Sequence, residues 1–183
     1  MKQIADFLFE TSMLKELIRS GYAFLGSGRE TVAEHSFMTA MICFAISRIE
    51  KGLDTERLIT MALMHDLPEA RTGDLNYVNK KYVTSLEDRA AEDMADGLPF
   101  GSEIISVLHE FNKAETREAQ LAKDADQLAF IIELKKSHDN GAKSPEKWLP
   151  FIVERLKTDI GRRLAKNIID SSWDDWWFTN YSE

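Results

Sequence analysis

Histidine and carboxylate side chains stand at four positions where they could hold a divalent ion: His35, the adjacent pair His65 and Asp66, and Asp126. Each lies at the polar edge of a segment whose apolar residues recur at helical spacing. Neutral imidazole and carboxylate together suit Mn2+, Co2+, Fe2+ or Zn2+. Successive residues on a regular helix point about 100° apart, so His65 and Asp66 can aim at one ion most easily where a helix ends. Pro68 marks such an end, because its ring removes a donor and restricts the residue before it. Glu69 follows one turn later, where a carboxylate could orient or deprotonate a water.

Not every His or Asp in the chain fits this pattern. Asp124, two positions before Asp126, competes with it as a ligand. His138-Asp139 runs into Asn140-Gly141, a helix-stopping turn without apolar shelter, and reads as a solvent-facing helix end. His109-Glu110 has no second histidine four residues on, so it does not make a zinc-protease helix. It reads as an ordinary, partly buried histidine, with Glu110 available to support the ion site from outside.

The elements that must position these groups are all helical. Apolar residues recur with a period near 3.6, and alternating runs rich in Val, Ile and Thr are missing, which predicts an all-α, single-domain helical bundle over residues 1–183. The spacing of Ile4, Phe7, Leu8, Leu14, Leu17 and Ile18 predicts a first helix that Gly21 stops, with a loop through "GYAFLGSGRET". A second helix is expected from Val32–His35 to about Glu50, through Phe37, Met41 and Phe44. Asp54 caps a third, and Thr84 with Glu87 has the form of a capping box for another. "SEIISVLHEF" and "TREAQLAKDADQLAFIIELKKS" make two more, and Ser144-Pro145 starts one long helix through Ile169 that Pro150 and Gly161 bend. The tail "SSWDDWWFTNY" reads as a short helix that packs Trp173, Trp176 and Trp177 on the body or on a second subunit, with core packing the preferred reading.

Composition closes off several classes of function. The chain has 183 residues, 44% hydrophobic and 30% charged, with a formal net charge of −8. That charge disfavours binding to a nucleic-acid backbone, although a bound metal ion could still attract a small anion. No segment approaches the roughly 18 apolar residues of a membrane span. The lone Cys43 cannot form an intramolecular disulfide and reads as a small core residue. With no secretory pattern at the amino terminus, the expected compartment is the cytoplasm. "GSGRET" lacks the third glycine of a dinucleotide fingerprint, and neither a phosphate-cradling GxxxxGK[ST] loop nor a GxSxG elbow is present.

Three motifs carry a resemblance. "VAEHS" at 32–36, "MHDLPEARTGD" at 64–74 and "AKDADQL" at 122–128 follow the H…HD…D order of the HD-domain phosphohydrolase superfamily. More narrowly, the chain resembles the bacterial 5'-deoxynucleotidases and their broader relatives over about residues 10 to 140. The resemblance implies an all-helical, usually homodimeric fold that binds one divalent ion through His35, His65, Asp66 and Asp126. It prefers Asp126 to Asp124, because the family's ligand follows the alanine. It also implies that Glu69 handles the attacking water, and that Asp74 contacts the sugar or protonates the leaving group. Arg29, Arg71, Lys80 and Lys123 are candidates to meet phosphate.

The match has one departure. Ser20 and Gly21 stand where the 5'-deoxynucleotidases carry an Arg-Trp pair, with Arg19 and Tyr22 beside them as in an "RTGW"-like form. Arg19 thereby joins the candidate substrate contacts, and deoxyribose preference is not implied. The expected reaction is hydrolysis of nucleoside 5'-monophosphates. A metal, a water and a glutamate do not specify the leaving group, so attack on a triphosphate or another phosphoester is the alternative. A non-catalytic helical module that engages a partner through its Trp-rich tail is a third reading.

Overall fold

The computed structural model describes residues 1–181, and among these every regular element is helical. Three helices build the centre. Helix α3 (Val32–Ile49) starts at a full capping box: Thr31 Oγ1 accepts from the Glu34 N–H at 3.1 Å, and the Glu34 carboxylate accepts from the Thr31 N–H at 2.6 Å. Helix α4 (Thr55–Met64) is capped by Asp54, which accepts from the Arg57 N–H at 3.0 Å. Helix α8 (Arg117–Asp139) is capped by Thr116, which accepts from the Ala119 N–H at 3.2 Å.

These three pack on one another through small and branched residues. Ala119, Ala122, Ala125 and Ala129 are fully buried along α8. With no side chain beyond Cβ, they let α3 and α4 approach the stretch of α8 that carries Asp126. Leu58, Met61, Leu121 and Ile46 fill the space around them, each contributing about 1.5–3 kcal/mol by leaving water.

Shorter elements surround the centre. Helices α1 (Lys2–Ser12), α6 (Glu87–Ala95) and α7 (Gly101–Lys113) enclose a second apolar cluster that includes Leu14, Met94, Ile104 and Leu108. Helices α2 (Tyr22–Leu25), α9 (Pro145–Val153) and α10 (Asp159–Asp170) enclose a third, around Leu128, Ile131, Leu134, Ile152 and Leu156. Between them, α5 (Glu69–Thr72) follows the end of α4, and α11 (Asp175–Tyr181) closes the described chain.

Several elements differ from the sequence-based expectation. The first helix ends at Ser12. Leu17, Ile18 and Arg19 run extended beside Glu30–Val32, where the Arg19 N–H reaches the Glu30 carbonyl and the Val32 N–H the Leu17 carbonyl, both at 2.9 Å. Leu8 is exposed rather than part of the packed face. The expected loop contains the short helix α2, which Gly26 ends in a left-handed conformation. Thr84 does not cap α6, whose preceding residue is Leu86, and no side chain caps that end. Ser144 likewise makes no capping bond, although Pro145 does occupy the first turn of α9. Phe37, Met41 and Phe44 belong to the helical periodicity yet line the outer face of α3. Trp176 and Trp177 are exposed, not core aromatics.

The largest difference has the clearest cause. The long final helix is broken into α9 and α10 because Asp124, fully buried on α8, reaches into the break. Its carboxylate accepts from the Lys157 N–H at 2.8 Å, the Thr158 N–H at 2.8 Å and the Thr158 hydroxyl at 2.6 Å. Thr158 then caps α10 through the Gly161 N–H at 3.0 Å. A Cβ at position 161 would collide with the Asp124 carboxylate, so glycine is required there by close approach. Asp124→Ala is expected to lower unfolding stability by about 3 kcal/mol, since it leaves buried donors unpaired. Chemical denaturation measures this loss, and ion affinity should change little because Asp124 is committed to the break.

Candidate metal centre and adjoining cleft

The packing of α3 on α8 places His35 against Asp126, with His35 Nε2 at 2.9 Å from Asp126 Oδ1. His35 lies in the first turn of α3 and is fully buried. His65 occupies the position where α4 ends, and its ring stands 5.5 Å from that of His35, centroid to centroid. Ligand atoms of His35, His65 and Asp126 all lie within 4.8 Å of one another. Asp66 adjoins this group through His65, with Oδ2 at 3.1 Å from His65 Nε2.

The chain reaches this arrangement by leaving helical geometry at the right point. After Met64 it makes tight turns, with the Leu67 N–H on the Met64 carbonyl at 2.9 Å and the Glu69 N–H on the Asp66 carbonyl at 3.0 Å. Neighbouring His65 and Asp66 thereby turn toward one place. Pro68 does not end α4, which stops four residues earlier. It instead precedes α5, where its missing N–H costs nothing.

Local chemistry shows that the residues fit a cation. His65 Nδ1 is 2.8 Å from the Ala62 carbonyl, which can only accept, so a proton is fixed on Nδ1 and Nε2 is the nitrogen that can take either a second proton or a cation. That Nε2 is buried and has no hydrogen-bond partner, while an Asp66 oxygen stands close by. Two lone pairs facing each other repel unless positive charge lies near them. Despite burial, which favours a neutral imidazole, Asp66 and then Asp126 push the His65 pKa up. Asp126 is held well below the usual carboxylate range against its own burial, first by the His35 hydrogen bond and charge. Asp66 is lowered in the same way by His65. The set favours positive charge at its centre, and its mixed nitrogen and oxygen donors suit a first-row divalent ion.

Glu69, the first residue of α5, is 8% exposed, and its Oε2 is buried with no hydrogen-bond partner. Burial first, then the charges of Asp66 and Asp74, pushes its pKa up to about 10. Asp74 follows Gly73, whose φ of 75° turns the chain. The Asp74 carboxylate accepts from the Ser20 backbone N–H and, at 2.7 Å, from the Ser20 hydroxyl. The Asn76 amide in turn donates to the Ser20 hydroxyl at 3.1 Å.

These acids form one side of a cleft of about 690 Å³. Arg19, Lys80, Lys147 and Arg155 face it with positive charge, and Tyr77, Phe130, Trp148 and Phe151 with aromatic surface. Lys123 lies beyond its edge, in an adjoining hollow of about 440 Å³ that shares Gln127 and Arg155 with the cleft. Its ammonium sits 3.7 Å from the centre of the Phe111 ring, and burial pulls its pKa down. Arg71 and Arg29 line neither space. Arg71 reaches back to Glu10 on α1 and lies 3.7 Å from Asp93, and Arg29 is exposed before α3, near the charge of Glu34.

The other acid and histidine pairs lie elsewhere. Asp139 accepts from Lys135 at 2.5 Å and from the Trp173 N–H at 3.0 Å, so it fastens the start of the tail to α8. His138 beside it is partly exposed and 3.5 Å from Glu146. His109 is exposed, contrary to the partly buried expectation. Glu110 does not support the ion site, because Arg57 at 2.8 Å and Thr116 at 2.6 Å hold it on the outer side of α7. Cys43 is fully buried, and burial pushes its thiol up to about 12, as fits a core residue.

The cleft's aromatic wall, Arg155, Lys147 and Glu30 belong to no motif, and Ser20, which stands in the sequence where an Arg-Trp pair occurs in the 5'-deoxynucleotidases, holds Asp74. Trp148 and Phe151 fall in the segment expected to form one long, bent helix, and on α9, before the break that Asp124 holds, they line the cleft. Glu30 had no signal beyond its charge. Among the described residues, no helix is long and apolar enough to cross a membrane.

Comparison with known proteins places this geometry in a family. The model for the HD domain matches residues 11–168. A 5'-deoxynucleotidase from Dictyostelium discoideum is 30% identical over 145 residues, covering 73% of this chain and 76% of that protein. One from Schizosaccharomyces pombe is 26% identical over 141 residues, covering 72% and 70%. Among solved structures, a conserved hypothetical protein from Pyrococcus furiosus superposes with a TM-score of 0.75 at 29% identity, covering 91% of this chain and 99% of that one. With the match spanning most of its length, the chain belongs to the HD-domain family.

Proposed function

We propose that this protein is a metal-dependent phosphohydrolase that cleaves nucleoside 5'-monophosphates to nucleoside and phosphate. The observation that carries this reading is the cleft. It sets a buried His and Asp group and an unpartnered glutamate opposite cationic and aromatic walls. The relatives named as 5'-deoxynucleotidases support the substrate class.

In this reading His35, His65, Asp66 and Asp126 hold one divalent ion, of which Mn2+, Co2+, Fe2+ and Zn2+ all suit the donors. When bound, the ion supplies a water of lowered pKa and neutralises charge on the phosphoryl group. Glu69 orients that water and takes its proton at Oε2. Burial holds Glu69 neutral in the ion-free protein, and the charge of a bound ion would return it to the carboxylate that accepts this proton. Asp74, held by Ser20, faces the sugar and leaving oxygen. Arg19 and Lys80 meet the phosphate, and Trp148 and Phe130 offer π-faces to the base, worth about 1–3 kcal/mol where a base stacks. The apolar stripe of Phe37, Met41 and Phe44 on α3 supports a homodimer, and the lone buried Cys43 is consistent with a cytoplasmic setting.

One observation favours a second reading. Lys123, Arg155 and Lys157 surround the hollow that continues from the cleft, and none of them makes an ion pair among the described residues. Further phosphates could lie there, as a triphosphate substrate would require. A non-catalytic module is less well supported, because stability gives no reason to bury Glu69 without a partner.

Two experiments test the proposal. With the metal-loaded protein, nucleoside 5'-monophosphates should release inorganic phosphate faster than di- or triphosphates do. Faster release of pyrophosphate or tripolyphosphate from triphosphates would replace this reading with the second. Glu69→Gln should lower kcat by about 10²–10⁴-fold while the ion stays bound. In the second experiment, elemental analysis after dialysis should find the ion lost from His65→Ala and Asp126→Ala but kept in His138→Ala.

A further inference from the structure

The two buried histidines are held by opposite kinds of neighbour. His65 Nδ1 faces a carbonyl, which only accepts, so a proton is fixed on Nδ1 and Nε2 is the nitrogen left to face a cation. His35 Nδ1 lies 2.7 Å from Arg19 Nη1, which only donates. The ring proton of His35 is therefore placed on Nε2, where Asp126 Oδ1 accepts it at 2.9 Å. A ring nitrogen that carries a proton cannot ligate a metal ion. For His35 Nε2 to do so, the proton must sit on Nδ1, and an N–H there cannot face a guanidinium N–H.

Glu30 stands where this conflict can be resolved. It is 6% exposed, and its Oε2 accepts from Arg19 Nη1 at 3.1 Å and from the Tyr22 hydroxyl at 3.0 Å. The same oxygen is 3.9 Å from His35 Nδ1. We propose that Glu30 is the positioning residue for His35: when Nε2 takes a cation, Nδ1–H turns to Glu30 and Arg19 is displaced from the ring into the cleft it lines. The Nε2 proton leaves to solvent and solvent returns one to Nδ1, so the ring proton moves and the proton count is unchanged.

The displaced guanidinium has somewhere to go. Arg19 already lies over the Phe130 ring, 5.5 Å from its centroid, and borders the cleft where an anionic substrate would enter. Cation binding at His35 therefore makes Arg19 available to phosphate, and by linkage phosphate strengthens cation binding by the same factor. This inference rests on His35 being an ion ligand, as proposed above, and adds how that ligand is prepared.

The test uses the full chain labelled with ¹⁵N at histidine, and long-range ¹H–¹⁵N correlation spectra recorded with and without Zn2+. On adding Zn2+, His35 should pass from the Nε2–H to the Nδ1–H form, while His65 stays Nδ1–H. A His35 ring in the Nδ1–H form both with and without Zn2+ overturns the inference. Calorimetry gives a second readout. Glu30→Gln should weaken Zn2+ binding roughly tenfold or more. Arg19→Met should tighten it and reduce the effect of Zn2+ on inorganic phosphate affinity to the part that the ion itself contributes. Unchanged Zn2+ affinity in both folded variants overturns the role of the pair. Wild-type protein that binds no Zn2+ at all would instead overturn the metal reading beneath it.

Discussion

Negative charge buried between helices is the constraint on which this structure depends. Asp66, Asp126 and Glu69 converge where α3, α4 and α8 meet, and burial alone would drive all three toward their neutral forms. Only Glu69 goes that way. The other two stay ionised because His35 and His65 lie beside them and Arg19 adds its charge from the cleft side. An ion pair of this kind stabilises little by itself, since desolvation offsets most of the attraction, but removing one member leaves a buried charge exposed to its neighbours. The site is therefore an all-or-none unit, and the helices that deliver its parts must hold their positions closely.

That requirement explains features far from the ligands. The run of buried alanines on α8 brings the backbones of α3 and α4 close enough for His35 and His65 to reach Asp126. Asp124, one turn position away from the ligand face, uses its carboxylate on Lys157 and Thr158 and so ends one helix and begins the next. Trp148 and Phe151, on the α9 side of this break, border the cleft. Two aspartates on one helix, two residues apart, thus act on opposite sides: one faces the candidate ion site, and the other shapes the wall of the substrate space.

Much of this was legible in the sequence, for physical reasons that differ by element. Helices α3, α4, α7 and α8 show a clear apolar period and side-chain caps at Thr31, Asp54 and Thr116, and local propensity and tertiary packing agree there. His35, His65, Asp66 and Asp126 were recognisable because polar groups at the edge of apolar helices need a reason to be there. The misses come from contacts distant in sequence. No local signal says that Asp124 will interrupt a helix more than thirty residues later. Nothing in "GSGRET" says that Glu30 will be buried against Arg19. Arg71 and Arg29 had charge suited to phosphate, but only the fold shows that Arg71 is taken up by Glu10 and that Arg29 lies outside the cleft.

The two His-Asp pairs of this chain differ in the same physical terms. His65-Asp66 and His138-Asp139 both sit at helix ends, and in both the histidine nitrogen lies within 3.4 Å of its neighbour's carboxylate. What separates them is the competition for the aspartate. Asp139 is satisfied by Lys135 and the Trp173 N–H, so its charge is balanced by a lysine in direct contact. Asp66 has no lysine or arginine in contact among the described residues, and the histidine nitrogen beside it is buried with no donor or acceptor of its own. A buried acid whose near partner is a histidine already bound to a carbonyl through Nδ1 depends on positive charge, a proton or a cation, at the other nitrogen. That imbalance, more than the dipeptide itself, makes this end of α4 a place for an ion, and it makes the state of the opposite histidine, set by Arg19 and Glu30, the remaining control over whether the set can close around one.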